Sequence, residues 1–383
     1  MTPPHQGTVR VRCARRQRHD SDGGLRSRNV SAVTVTGTAQ RQAWRDAVLP
    51  PVEQVRPQLW SVPVPIPNNP LRYVLVYVFE LSDKNGGGAA IVDAGWPTDD
   101  AWEALNSGLG ECGFEVGDVR AVLVTHMHPD HYGLAGRVRE ASGAWVGMHA
   151  ADSALLERRY DSVEDLIETQ RRVMAASGVP EGELPELSEA SMGIRQFMAQ
   201  AKPDRSLEDG TDLDLPGWNL RVVWTPGHSP GHVCFYDTEK RLLLSGDHVL
   251  PRITPNIAAH PQQRDNPLAD FFDSLQKVKA LDVAEVLPAH EYRFRNLGAR
   301  VDQLIGHHEE RLDEIENVLR AKPGSNTWEI TLDLSWSRPW DQIPGYMRRA
   351  ANGETLAHLM LLQLQDRVVM DGDNPARWYV APA

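Results

Sequence analysis

Four apolar, strand-like runs in this 383-residue chain each end on side chains that bind metals, so a fold that suits the sequence must bring those ends together. AVLV (121–124) leads into THMHPDH, which carries His126, His128, Asp130 and His131. NLRVVWT (219–225) leads into PGHSPGH with His228, RLLLSGD (241–247) ends on Asp247, and AEVLPAH (284–290) ends on His290. Short, Val-rich apolar runs read as buried strands. Loops on a rigid scaffold are where reactive groups collect. The pattern therefore predicts a site along one edge of a sheet sandwich.

Imidazole nitrogen and carboxylate oxygen are zinc ligands, and imidazole also suits iron and nickel. A tight loop after a strand can aim alternate side chains at one point. His126 and His128 are thus expected to share one ion, with Asp130 and His131 facing a second. Pro129 disfavours a helix running through this segment, and LAGRVREAS after Gly133 reads as the helix that follows. Gly227 and Gly231 suit a sharp backbone turn beside a metal. A lone HxH is weak evidence, but HxHxDH specifies four positions of six, and three further donors at strand ends make coincidence remote. His149, His260, His307 and His308 lie outside the pattern and are read as ordinary histidines. The chain has no GxSxG elbow, P-loop or strand-borne GxGxxG. Its three cysteines lack CxxC spacing, and the glycines at 86–88 read as a hairpin turn.

Length allows a large core and more than one unit. No run of about 18 apolar residues occurs, so no membrane span is expected. Three cysteines make no disulfide framework, which points to a reducing cytoplasm. The Ala, Arg, Asp, Gly and Val content looks bacterial. Residues 1–45 hold nine Arg and two Asp with no Lys or Glu; the chain carries −12 overall and this stretch +7, so the rest holds −19. So acidic a body is a poor polyanion binder. The first 45 residues read as a disordered, inessential Arg-rich tail. Arg15 and Arg16 are followed by no apolar stretch, which argues against an export signal.

Strands are expected at 59–65, 72–81 and 89–93, and a helix from 96 to 110 capped by Asp99 or Asp100. Residues 151–205 read as a helical insertion that could overhang the metal edge, with Tyr160, Met174, Met192 and Phe197 on its inner face or simply packing it to the body. The catalytic part spans 46–300. Residues 301–383 read as a C-terminal unit of helix, helix and hairpin. That unit holds 13 acidic and eight basic residues, too few clustered cations for phosphate contact, so packing, dimerisation or pocket lining is the expected role.

HMHPDH, TPGHSPGH, SGD and PAHE together resemble the metallo-β-lactamase superfamily, most of all its glyoxalase II-like and lactamase-like hydrolase branch, over roughly residues 55–300. The resemblance implies an α/β (α+β) fold, a four-layer αββα sandwich. It implies a first metal on His126, His128 and His228, a second on Asp130, His131 and His290, and Asp247 bridging them. IVDAG at 91–95 matches an early strand of the family, where Asp93 would support the ligands or simply serve as a turn residue before Gly95. True β-lactamases usually lack the bridging Asp and often use a Cys ligand; here Asp247 is present and Cys234 lies away from the motifs. Di-iron flavoprotein relatives usually carry a Glu where this chain has His128, which favours two zinc ions, with iron or manganese as alternatives. Residues 301–383 resemble the winged-helix appendage of some relatives.

These readings imply a hydrolase in which two ions about 3.5–4 Å apart hold a bridging hydroxide. Asp130 is expected to ligate and to orient the nucleophile, and His232 to relay a proton or pack beneath the ligand loop. The motif order and the acidic body favour a small-molecule thioester or ester over nucleic acid, with the acyl group on a thiol carrier. Tyr292, Arg293, Arg295 and Arg252 are candidates to grip a carboxylate or pantetheine phosphate, or are solvated surface groups. The alternatives are an endoribonuclease or other phosphodiesterase using the same site, and a mononuclear iron sulfur dioxygenase. A homodimer is compatible with the C-terminal unit.

Overall fold

Along Tyr73–Glu80 the side chains of Tyr73, Leu75, Tyr77 and Phe79 and those of Val74, Val76 and Val78 are all buried. A strand points successive side chains to opposite faces, so this one lies in a sheet covered on both sides. The structure, a computed structural model, describes residues 33–82, 87–161, 163–189, 202–259 and 266–382. Among these the chain starts with β1 (Thr34–Val35) and α1 (Thr38–Asp46) and continues through β2 (Glu53–Arg56), β3 (Leu59–Pro65), β4 (Tyr73–Glu80) and β5 (Ala89–Val92). Then come α2 (Asp99–Glu111), β6 (Val119–Leu123), α3 (Pro129–Tyr132), α4 (Ala135–Ser142) and β7 (Trp145–Met148). The helices α5 (Ala150–Asp161), α6 (Val163–Ala176) and α7 (Leu184–Glu189) precede β8 (Arg205–Ser206). The second half holds β9 (Leu220–Trp224), β10 (Val233–Asp237), β11 (Leu242–Gly246), α8 (Pro267–Lys279), β12 (Glu285–Pro288) and β13 (Phe294–Arg295). It ends with α9 (Leu297–Ala321), α10 (Thr327–Asp333), α11 (Gly345–Leu364) and the hairpin β14 (Val368–Asp371) and β15 (Arg377–Val380).

Strands β2 to β8 form one sheet in sequence order, and β1-β13-β12-β11-β10-β9 form the other. Leu75, Tyr77 and Phe79 of β4 and Leu123 of β6 meet Leu220, Phe235, Leu244 and Leu287 of the second sheet in the central core. The opposite face of the first sheet packs on α2 and α4 through Leu105, Leu109, Ala135 and Val138. That of the second packs on α8 and α9 through Phe271, Leu275, Val301 and Leu304. The result is the expected αββα sandwich. Strands β5 and β6 run parallel, as do β11 and β12, and β9 shares the sense of β11 because both are antiparallel to β10. The carboxyl ends of the ligand-bearing strands in each sheet therefore point one way.

Local differences from the sequence reading have identifiable causes. Pro129 agrees with the expectation that no helix runs through it, and it also opens the short α3, because proline is tolerated in the first helical turn where its missing N–H has no partner to lose. Thr98, not an aspartate, is the N-cap of α2; Asp99 and Asp100 sit in its first turn, where Asp99 pairs with Arg137. Residues 34–46 are ordered. Strand β1 pairs with β13, α1 buries Trp44, and Gln40 donates to Ser61 Oγ and accepts from the Arg293 backbone N–H. Trp44, Ala43 and the buried Gln40 are few but sufficient anchors. Residues 1–32, Met192 and Phe197 of the insertion, His260, and most of the turn between β4 and β5 lie outside the described residues, as does the Tyr160 side chain.

The division expected at residue 300 does not appear. Helix α9 runs across it, and Leu304, Leu312 and Ile315 share one core with Val286 of β12, Leu275 of α8, Leu359 of α11 and Trp378 of β15. The described residues fall in one compact unit. Within the insertion, Met174, Leu184 and Leu187 pack on Trp328 of α10. No described helix is long and apolar enough to cross a membrane. Truncating Trp378 to Ala in this shared core is expected to cost about 3–5 kcal/mol and to lower a single thermal transition of the whole chain. A calorimetric scan showing a separate C-terminal transition would contradict the shared core.

Candidate metal centre

All seven sequence-predicted donors meet at the carboxyl ends of β6, β9, β11 and β12. They form three overlapping groups: His126, His128 and His228; His126, His131 and Asp247; and Asp130, His131 and His290, with the donor atoms of each group within 4.8 Å of one another. His128 Nδ1 lies 2.8 Å from His126 Nε2 and 3.0 Å from His228 Nε2. Asp130 Oδ2 lies 3.4 Å from His290 Nε2 and 3.6 Å from His131 Nε2. Asp247 spans both sides: Oδ1 is 3.2 Å from His290 Nε2 and 3.6 Å from His131 Nε2, while Oδ2 is 3.5 Å from His228 Nε2.

Outer contacts fix which nitrogen of each ring faces inward. Asp93 Oδ2 accepts from His131 Nδ1 at 2.8 Å. The Asn256 and Tyr73 carbonyls accept from His228 Nδ1 and His290 Nδ1, each at 2.8 Å. Thr125 Oγ1 donates to the Asp93 carboxylate, so His126 Nδ1, 3.1 Å away, must donate to Thr125. In all four rings Nε2 is left facing the cluster. Asp93 can reach Thr125 because it turns back just past β5 at φ 62°, a left-handed conformation that Asp tolerates. Its side chain is buried and engaged, beyond a turn residue's need.

Three buried inward atoms, His131 Nε2, His290 Nε2 and Asp247 Oδ1, make no hydrogen bond and have only ion-pair contacts of 3.2–3.6 Å with one another and with Asp130. Buried polar atoms are ordinarily satisfied. Orphaned nitrogen and oxygen donors at these spacings fit a transition metal such as zinc, whose ligands are N, O and S atoms. The residues present therefore suit one ion on the three imidazoles, another on Asp130, His131 and His290, and Asp247 between them.

Protonation divides the cluster. Burial, reinforced by His131 and its other imidazole neighbours, holds His126 well below the usual histidine range. Burial also opposes a charge on His290, but Asp247 and Asp130 outweigh it and push the ring up to about 10. His131 is raised in the same way by Asp130, Asp93 and Asp247 against the effect of burial. Both carboxylates are held low despite burial, Asp247 by His290 and His131, Asp130 by His131 and His290.

Other candidates fare differently. His232 is fully buried beneath Asp247, with Nδ1 2.8 Å from Thr225 Oγ1 and Nε2 accepting from the Asp247 backbone N–H at 3.1 Å. Both nitrogens are engaged, so it lies packed beneath the ligand loop with neither nitrogen turned to the inward face of the cluster. Arg293 is corrected outright. Its guanidinium is buried and pairs with Glu285 and Glu53, because it points under the strand layer towards β2 rather than out to solvent. Tyr292 is also largely buried, whereas Arg295 is exposed on β13 beside β1. Arg252 is two-thirds exposed, with its backbone N–H and Nε held by Glu291, the residue after His290. Met174 is core. His149 stacks on Trp224 at 5.1 Å, away from any donor role. Gly227 adopts φ 138°, and a Cβ there would sit 2.6 Å from the Phe271 Cβ, so the loop needs glycine. The sequence reading missed Asp152, Thr125 and the carbonyls of Asn256 and Tyr73. Backbone carbonyls leave no sequence signal, and Asp152 lies in a helix outside every motif.

Comparison with known proteins accords with this geometry. Residues 69–290 match the metallo-beta-lactamase superfamily model, and the chain belongs to that superfamily. It is similar to a metallo-beta-lactamase family protein, TTHA1429, from Thermus thermophilus, with TM-score 0.74 and 33% identity over 85% of this chain and 100% of that one. A beta-lactamase domain protein from Burkholderia ambifaria aligns with TM-score 0.75 and 25% identity over 91% of this chain and 98% of that one. The probable metallo-hydrolase YqjP of Bacillus subtilis (strain 168) is 24% identical over 65% of this chain and 77% of its own length.

Two outcomes are expected. Since His290 and His131 carry protons at neutral pH in the metal-free chain, zinc uptake must expel them. Affinity should rise with pH up to the raised histidine range, and calorimetry in buffers of different ionisation enthalpy should show net proton release at pH 7; no release would contradict the protonated pair. Arg293→Ala should destabilise the chain by about 3 kcal/mol, at the lower end for a broken buried pair, because Glu285 keeps Thr36 and Arg56 as partners. Chemical denaturation measures this, while KM should stay unchanged.

Proposed function

We propose that the chain is a dinuclear zinc hydrolase acting on a thioester or ester of a small acyl substrate carried on a thiol. The observation that carries this reading is the span of Asp247, whose two oxygens reach donors of both pockets. The superfamily membership and the similarity to a protein described as a probable metallo-hydrolase support it. Bound there, two zinc ions would supply a water acidified towards neutrality as the nucleophile and polarise the substrate's electrophilic oxygen.

The chain's own residues set the rest. Asp130 Oδ2 lies beside His290 and His131 and would orient the attacking water at that position. Asp93, Thr125 and the Asn256 and Tyr73 carbonyls keep the imidazoles turned inward, so no reorganisation is needed as substrate arrives. Arg252 is the best placed cation for an acyl or carrier carboxylate. It follows Asp247 by five residues, is mostly exposed, and hangs on Glu291 beside His290. Arg300 stiffens the same segment by donating to the carbonyls of Leu250, Arg252 and Ile253. The strongly acidic sequence after residue 45 disfavours a polyanionic substrate.

Elemental analysis should find two zinc ions per chain, and a panel of acyl-CoA, acyl-glutathione, lactone, nitrocefin and fluorescent RNA should show turnover of a thioester or ester. Turnover of RNA alone would replace this reading with a nuclease, and a single iron with oxygen-dependent activity would replace it with a dioxygenase. Asp247→Ala should remove hydrolysis and lower the metal content below two; full turnover with two ions retained would sink the bridging role.

A further inference from the structure

One buried carboxylate outside the donor set ties the two loops of the three-imidazole pocket together. Asp152 sits in the first turn of α5, the first helix of the insertion, and is completely buried. Its Oδ2 accepts from the Met127 backbone N–H at 2.9 Å and from Ser229 Oγ at 2.7 Å, and its Oδ1 accepts from the Gly231 backbone N–H at 2.6 Å. Met127 stands between His126 and His128, while Ser229 follows His228. The loops themselves are about a hundred residues apart in sequence, yet one side chain holds a backbone N–H of each. Hydrogen bonds to an ionised acceptor are shorter and stronger than neutral ones, most of all away from water.

We propose that Asp152 is a positioning residue for the three-imidazole pocket, setting the separation of His126 and His128 from His228 and thereby the affinity of that pocket for its ion. This rests on the two-ion reading above. Space enforces the arrangement: a Cβ on Gly231 would come within 2.5 Å of the Asp152 backbone nitrogen and 2.7 Å of its Cβ and Cγ, so the second loop lies directly on the clamp. The second pocket is held by other groups, His131 by Asp93 and His290 by the Tyr73 carbonyl. Losing the clamp therefore acts unequally on the two ions. The clamp also joins the insertion to the metal edge, since α5 leads into the helices that pack on Trp328.

Asp152→Asn tests this directly. The amide turns one carboxylate oxygen into an NH2 that must face a backbone N–H of either Met127 or Gly231, donor against donor. Metal-free full-length wild type and variant are titrated with cobalt(II) against a competing chelator, following visible absorption, with His228→Ala as the reference for a damaged three-imidazole pocket. The variant is expected to lose affinity for one ion by about ten- to a hundredfold, to keep the other unchanged, and to show a spectrum shifted towards that of His228→Ala. Ser229→Ala, which removes a single bond of the clamp and is less demanding on folding, should shift the same ion by a smaller factor. In hydrolysis assays kcat should fall more than KM rises. Equal weakening of both ions, or unchanged cobalt affinity and spectrum in Ser229→Ala together with Asp152→Asn, would overturn the proposal. Wild type binding fewer than two ions would instead sink the two-ion reading, leaving the clamp to be judged by the variant-to-wild-type ratio for the ion whose signal His228→Ala removes.

Discussion

The attraction between two buried carboxylates and two buried imidazoles at one sheet edge is the constraint around which the metal edge is arranged. Asp130 and Asp247 would be costly to bury alone, as would a protonated His131 or His290. Together they compensate each other across 3.2–3.6 Å. Replacing water around such groups requires a rigid surround, or the cluster would open to solvent and lose its low-dielectric advantage. The surround is the sandwich itself, whose central core closes immediately beneath through Leu123, Leu244 and Leu287. The site and the core are thus two ends of the same strands.

Which parts could be read from the sequence follows from the kind of signal each leaves. Four of the donors sit within six residues of one another, and each of the others ends an apolar run, so covalent spacing alone announces them. The strands were readable because their apolar runs have few interpretations at that length. The supports of the site were not. Tyr73 and Asn256 act through carbonyls that any residue carries, and Asp152 acts through a fold that brings it beside Met127 and Gly231. Arg293 shows the opposite failure. Two arginines in YRFRN look like an exposed cationic patch, but the short β13 and its approach turn Arg293 inward to Glu285 and Glu53 while Arg295 faces solvent. No local pattern reveals Glu53, which is 240 residues away.

The ends of the chain make the same point about packing. Residues 34–46 look polar by composition, yet Trp44 and Gln40 suffice to dock them, the ring edge-on to Tyr73 and under the Arg72 guanidinium. The C-terminal helices look like a separate unit because their periodicity restarts after the last donor. Their apolar faces have no core of their own, and they complete the cover over the second sheet. A fourth layer made from late sequence also places α11 against the segment after Asp247, where the Ala259 N–H donates to the Gly353 carbonyl. That segment supplies the Asn256 carbonyl that orients His228, so residues 301–383 bear on the metal edge without contributing a donor.

The two pockets are chemically unequal, and this follows from their neighbours rather than their ligands. His126 sits among other imidazoles with no carboxylate in its first support, which is the Thr125 hydroxyl, and burial keeps it neutral. His131 and His290 face Asp130 and Asp247 and hold protons in the metal-free chain. A cation entering beside His126 finds a lone pair already available there, whereas one entering beside His290 must displace a proton that two carboxylates retain. Ligand deprotonation couples metal affinity to pH, so acid opposes an ion held by His131 and His290. Asp247 links the two sides, with Oδ1 towards His131 and His290 and Oδ2 towards His228. The contrast in protonation between His126 and the pair His131 and His290 therefore comes from how closely Asp130 and Asp247 approach each ring.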